Sequence, residues 1–316
     1  MTAEYVGLKK QMTVEEAFAY IRKYGVDKET IYTCYVMDEK RRLEGVVTVK
    51  DLLMNPYDTV LGDIMDVHVI KAYTTEDREE VVDTFNEYSL LSLPVVDKEN
   101  RLVGIITVDD VMDVMEQEAT EDFEKMAAML PSEKPYLKTS VFQLAKNRLP
   151  WLMILMVSSM VTGGILLKYE NAFAAIPLLV TFVPMLMDTG GNSGSQASTM
   201  IIRGMAVGEV EPSDIMKVVW KELRVGVLCG VGLALVNFIR LMLQYPGQLM
   251  ICLTVVMSIF FTVIIAKTIG CTLPILAKVI HLDPAIMAAP MITTIVDACS
   301  LMIYFQLACR LLGLLG

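Results

Sequence analysis

The sequence predicts an α+β soluble half built from a tandem repeat, followed by an all-α membrane half of five transmembrane helices. Three observations carry this reading. Residues 1–148 hold 29 Asp+Glu against 18 Lys+Arg, while residues 149–316 hold 8 against 9. The first half repeats itself at an offset of 59 residues, and the second half holds five long apolar runs. A charged, repetitive half and a nearly uncharged half make two domains the minimum.

The repeat runs from "YVMDEKRRLEGVVTVKDLL" (Tyr35–Leu53) to "PVVDKENRLVGIITVDDVM" (Pro94–Met112). Each copy gives a short apolar strand, a charged turn, a β-branched strand and a helix start at Asp51 or Asp110. One copy cannot bury its own sheet face, so the two pack as a pair. This pattern resembles a tandem CBS (Bateman) domain over about residues 8–118, with repeats at about 8–62 and 63–118. CBS pairs often bind adenine nucleotides such as ATP through a Thr/Ser and an Asp three residues apart. Those positions here are Thr48 with Asp51 and Thr107 with Asp110. Plain helix capping accounts for the same pairs, so both readings stand at this point.

A run of carboxylates follows. "DDVMDVMEQEATEDFE" (Asp109–Glu124) has eight acids and no base. Helical spacing puts Asp110, Asp113, Glu121 and Glu124 near one face and makes Glu118 a neighbour of Glu121 and Asp122. Such repulsion destabilises an isolated helix. A solvated acidic face explains it; so does a hard-oxygen ligand set of the kind Mg²⁺ and Ca²⁺ prefer. A connecting region is expected over 119–138 and the membrane domain over 139–316.

The apolar runs are Leu149–Leu167, Ala172–Met187 (continuing through small residues to Ile202), Val225–Ile239, Leu249–Ala266 and Ala285–Cys309. Alternate loops carry Lys138, Lys146 and Arg148, then Arg203, Lys217, Lys221 and Arg224, then Lys267 and Lys278. The opposite side has Lys168, Arg240 and Arg310. This asymmetry predicts a cytoplasmic N-terminus in a multi-pass protein of the cell membrane. No signal peptide precedes the soluble half, which agrees with a cytoplasmic location. The acidity argues against nucleic acid and for cations as partners. The six cysteines show no metal spacing, and His68 and His281 read as structural.

Two features of the membrane half carry chemistry. Asp297 is the middle residue of the run Ala285–Cys309, with no other charge in it. A carboxylate there costs several kcal/mol on any scale, and such residues mark ion or proton paths. "PMLMDTGGNSGSQAST" (Pro184–Thr199) offers Asp188, Asn192, Ser195 and Gln196. Its glycines suit close packing or an unwound backbone whose carbonyls face a cavity. Pro184 and Pro290 are expected to loosen the helices nearby. No base is expected at the depth of Asp297.

"DTGGNSGSQAS" and "LDPAIMAAPMITTIVD" closely resemble the MgtE family of magnesium channels, as does the order of CBS pair, acidic helix and membrane spans. The resemblance covers essentially the whole chain. It implies a homodimer with a pore at the dimer interface, lined largely by the second and fifth membrane helices and surrounded by membrane lipid. The pore Mg²⁺ site falls on Asp297, with Asp188, Gly190, Gly191 and Asn192 nearby. Regulatory Mg²⁺ is implied between the CBS pair and the acidic "plug" helix at Asp110, Asp113, Glu118, Glu121 and Asp122, and at Asp77 and Glu79. The function implied is Mg²⁺ transport gated by cytoplasmic Mg²⁺, without enzymatic activity. Family members commonly carry an acidic helical domain before the CBS pair. This chain begins almost at the first repeat, whether as a natural short form or as a trimmed piece, and regulation that needs that domain is left open. A broader divalent carrier for Co²⁺ or Mn²⁺ is the near alternative. An intramembrane aspartyl protease using Asp188 and Asp297 is the distant one, and neither its Tyr-Asp nor its Gly-x-Gly-Asp motif surrounds these residues.

Overall fold

The structure is a computed structural model that describes residues 1–132, 134–287 and 289–313, and only the backbone of residues 171–173. Two compact units meet at the Thr120–Glu121 bond.

The first unit is the pair of repeats. Strands β1 (Val6–Leu8), β2 (Thr33–Met37) and β3 (Leu43–Thr48) form one sheet, with helices α1 (Val14–Tyr24), α2 (Val49–Met54) and α3 (Leu61–Ile64). Strands β4 (Ala72–Tyr73), β5 (Ser92–Val96) and β6 (Leu102–Thr107) form the second, with α4 (Arg78–Tyr88) and the long α5 (Val108–Met126). In both sheets the first strand runs parallel to the second and the second antiparallel to the third.

Local chemistry explains why both copies fold alike. Asp38 Oδ1 accepts from the Lys40 and Arg42 amides, and Asp97 Oδ1 from the Glu99 and Arg101 amides, all at 2.8–3.0 Å. These Asx-type bonds fix the hairpin turns. Arg41 and Asn100, 59 residues apart, both take left-handed φ values of 64° and 62°. The copies then bond to each other reciprocally: Leu43 N donates to Asn100 O at 3.0 Å and Leu102 N to Arg41 O at 2.9 Å. Tyr5, Tyr35, Leu43, Val96, Leu102 and Ile105 make a shared core across the pair. The buried Tyr35 hydroxyl meets Ser92 Oγ at 2.9 Å. One sheet face per repeat is thereby covered, as the repeat requires.

The second unit is helical: α6 (Val141–Lys168), α7 (Glu170–Ala175), α8 (Val183–Ala206), α9 (Ile215–Gln244), α10 (Leu249–Val279) and α11 (Ala289–Leu311). α8 packs on α10 and α11, α9 on α10, and α11 on α6. A core of Leu186, Val255, Ile259, Tyr304 and Phe305 lies among them. The Tyr304 hydroxyl donates to Leu179 O at 2.9 Å, which satisfies the polar end of a fully buried ring.

Among the described residues, four helices are long and apolar enough to cross a membrane: Val141–Lys168, Pro212–Gln244, Leu249–Val279 and Ala289–Leu311. α8 has 24 residues, which suffices in length, yet its glycines, serines, Asp188, Asn192 and Gln196 dilute its hydropathy. The expected second run also divides. Pro177 opens a 3-10 segment, Pro177–Phe182, and α8 begins only at Val183. Pro184 and Pro290 are each the second residue of their helix, where a missing N–H costs nothing. They start these helices and do not loosen them.

Candidate functional site

α8 has two faces set by residue size. Gly190, Gly191 and Gly194 are buried, and each is held close to α11 or α10. A Cβ on Gly190 would lie 2.6 Å from Ser300 Oγ, one on Gly191 3.0 Å from Thr293 Cγ2, and one on Gly194 2.7 Å from Ile292 Cγ2. The backbone stays regular α-helix from Val183 to Ala206, so the glycines serve close packing. Of the two readings, close packing or unwinding, the helix shows packing, and Gly191 turns its Cα toward α11.

The opposite face is polar and exposed in the single chain. Asp188, Asn192, Gln196, Thr199 and Arg203 follow one another at helical spacing, and all are exposed. Asp297 on α11 is half-buried. One turn earlier, Thr293 packs on Gly191. Asp188, Asn192, Gly191 and Asp297 therefore sit together on the contact of α8 and α11. No ion pair joins Asp297 to a base among the described residues. Lys267 pairs instead with Glu222 of α9, at 3.9 Å and nearly buried. At an effective dielectric near 20 such a pair attracts by about 4 kcal/mol, offset largely by desolvation. That partner was hard to foresee, because Glu222 lies 45 residues away just ahead of an apolar run.

The acidic helix is less assembled. Asp110 Oδ2 lies 2.9 Å from the Met1 amino group. Glu118 lies 3.7 Å from Arg78. Glu121 lies 2.7 Å from Lys125, whose ammonium also meets Asp283 at 2.6 Å. Burial opposes the Lys125 charge, but the hydrogen bonds it donates to Asp283 and Glu121 outweigh it and raise its pKa above the usual lysine range. Asp77 caps α4 by accepting from the Glu79 amide at 3.0 Å. Asp113 is exposed on α5. Among the described residues, no three His, Cys, Asp or Glu come close enough to hold a metal ion.

The two Thr/Asp pairs differ. Thr48 and Asp51 form a closed capping box: the Thr48 hydroxyl meets Asp51 Oδ2 at 2.6 Å, and each side chain takes the other's amide. In the second repeat the Thr107 hydroxyl bonds Asp109 and, as the main cause, holds that carboxyl below its ordinary range. Asp110 instead lines a cavity of about 350 Å³ with Tyr73, Thr74, Glu76 and Arg78. A cavity of that size suits a small ligand.

These features define a membrane protein of the cation-transporting kind with a CBS pair. Residues 183–307 match the MgtE family, described as divalent cation transporter, and residues 1–57 and 61–117 match CBS domains. The chain is 39% identical to the magnesium transporter MgtE of Thermus thermophilus, over 99% of this chain and 69% of that one. It is 35% identical to that of Bacillus subtilis, over 98% and 68%. It is 48% identical to the cytosolic domain of the Mg²⁺ channel MgtE crystallised with ATP, covering 36% of this chain and 46% of that one at a TM-score of 0.36. The chain belongs to the MgtE family.

Proposed function

We propose that the chain is a Mg²⁺ transporter of the cell membrane, acting as a homodimer, with Asp297 in its ion path. The observation that carries this is the exposed stripe Asp188–Asn192–Gln196 on α8 beside Asp297 on α11. Such a stripe is too costly to face lipid within a membrane domain, and it demands a protein or water-filled partner. A second copy placing the same face opposite would enclose it around an aqueous path. α8 is then the fifth span, shielded from lipid by its neighbours and the partner. Family membership and the names of the relatives support Mg²⁺ as the cargo.

Mg²⁺ gives up water reluctantly. Two Asp297 carboxylates attract it through its hydration shell, and Asp188 and Asn192 add charge and oxygen at the same contact. Selectivity then rests on charge and on cavity size. The basic loops support a cytoplasmic CBS pair. There Asp110, Asp113, Glu118, Glu121 and Asp122, with Asp77 and Glu79, bind Mg²⁺ and favour closure. The ion need only bind the closed form better to shift the balance. The Asp110 cavity is the nucleotide site, with Arg78 turning from Glu118 to phosphate and Asp110 from the Met1 amino group to ribose.

Uptake into proteoliposomes, comparing Mg²⁺, Co²⁺, Mn²⁺ and Ca²⁺, tests the cargo. Selective Mg²⁺ uptake is expected. Equal uptake of Co²⁺ or Mn²⁺ favours the broader carrier, and no divalent uptake sinks the proposal.

A further inference from the structure

Asp283 performs two tasks just ahead of α11. Its Oδ1 accepts from the Ala285 amide at 2.8 Å, which caps the turn Pro284–Met287. Its Oδ2 holds Lys125 Nζ at 2.6 Å. The same ammonium holds Glu121 Oε1 at 2.7 Å, one turn back along α5. Lys125 is the first base after the eight acids of Asp109–Glu124. The three side chains are between 25% and 36% exposed, so water only partly screens them. The Glu121 contact alone would be an ordinary intrahelical pair. The Asp283 contact, 158 residues on, makes it a link between the end of α5 and the segment that opens α11.

We propose that Lys125 is a positioning residue: its ammonium fixes the segment that opens α11 to the end of the acidic helix, so that movement of that helix reaches the helix carrying Asp297. The transmission rests on the reading that the acidic helix responds to cytoplasmic Mg²⁺; the fixing does not. Two charge-assisted bonds on one ammonium are short and directional. A contact that is either made or broken supplies the two-state element that coupling requires.

The test uses the full chain. Lys125→Met removes the charge and keeps length and helix propensity. Asp283→Asn keeps Oδ1 as the cap for Ala285. Hydrogen exchange without divalent ions should quicken at the 285–292 amides by about tenfold in either variant, and no further in the double variant, because one contact is lost in each case. In flux measurements, either single variant should shift the cytoplasmic Mg²⁺ midpoint by at least about threefold if the link transmits gating. Parental exchange in both single variants overturns the proposal. Faster exchange with an unshifted midpoint, in a parent that responds to Mg²⁺, overturns the transmission. A parent with no Mg²⁺ response defeats the sensing reading instead, and the exchange result still decides whether Lys125 fixes the segment.

Discussion

Gly270 of α10 lies against the backbone carbonyl of Gly194 of α8, so that a Cβ on Gly270 would collide with that oxygen. Backbone cannot rotate aside as a side chain can. Gly270→Ala should therefore push α8 and α10 apart and destabilise the helical unit by about 1–3 kcal/mol, the usual cost of overpacking. Thermal unfolding in detergent reads this as a lower Tm. An unchanged Tm would mean the two helices approach less closely.

The exposed face of α8 should meet its equivalent in a second copy. Gln196→Cys should give a covalent dimer on mild oxidation in membranes, while the parent should not cross-link at that face. Gly194→Cys, on the buried face, should give none if it folds. Monomer throughout for Gln196→Cys would argue against a twofold interface at this stripe.

The unlike Thr/Asp pairs separate capping from ligand binding. Asp110→Ala should weaken ATP binding by about tenfold in calorimetry, the loss expected of one charge-assisted hydrogen bond. Asp51→Ala should leave binding near parental and cost about 1 kcal/mol of stability through its lost capping box. The opposite ranking would move the nucleotide to the first repeat. An absence of heat for the parent at millimolar ATP would leave no nucleotide site.

Burial pushes the Cys34 thiol up from its ordinary 9.0 to about 12. Burial likewise pushes the Tyr35 hydroxyl up from 10.0 to about 12, against the opposing Ser92 hydrogen bond. The folded repeats keep both groups neutral where the unfolded chain ionises them. Their contribution is full below pH 9 and is lost as pH rises toward 12. Urea unfolding of the CBS pair, followed by tyrosine fluorescence, should show a lower midpoint at pH 10.5 than at pH 8. Cys34→Ala should flatten part of that slope, and an equal slope in the variant would contradict it.

Much of this architecture could be read from the sequence because its causes are local. Asp38 and Asp97, and Thr48 and Thr107, recur at one offset, and each acts within a few residues of itself. Asp297 stands out because it is alone in its run. The missed contacts join distant residues whose local surroundings gave no sign of a partner. Lys125 gives no sign of Asp283, and Lys267 gives none of Glu222. The glycines of α8 were compatible with packing or unwinding. Only neighbours on α10 and α11, 72 to 110 residues on, decide for packing.

On the proposed function, Asp297 draws the ion through the membrane. Mg²⁺ uptake by Asp297→Ala in proteoliposomes tests it most directly, with thermal unfolding and size-exclusion chromatography to show a parental fold and assembly. Uptake should fall at least about tenfold below the parent, since the central negative charge is gone. Asp297→Asn should also be weak, because the polar shape remains and the charge does not. Parental uptake by a folded Asp297→Ala protein would remove Asp297 from the ion path.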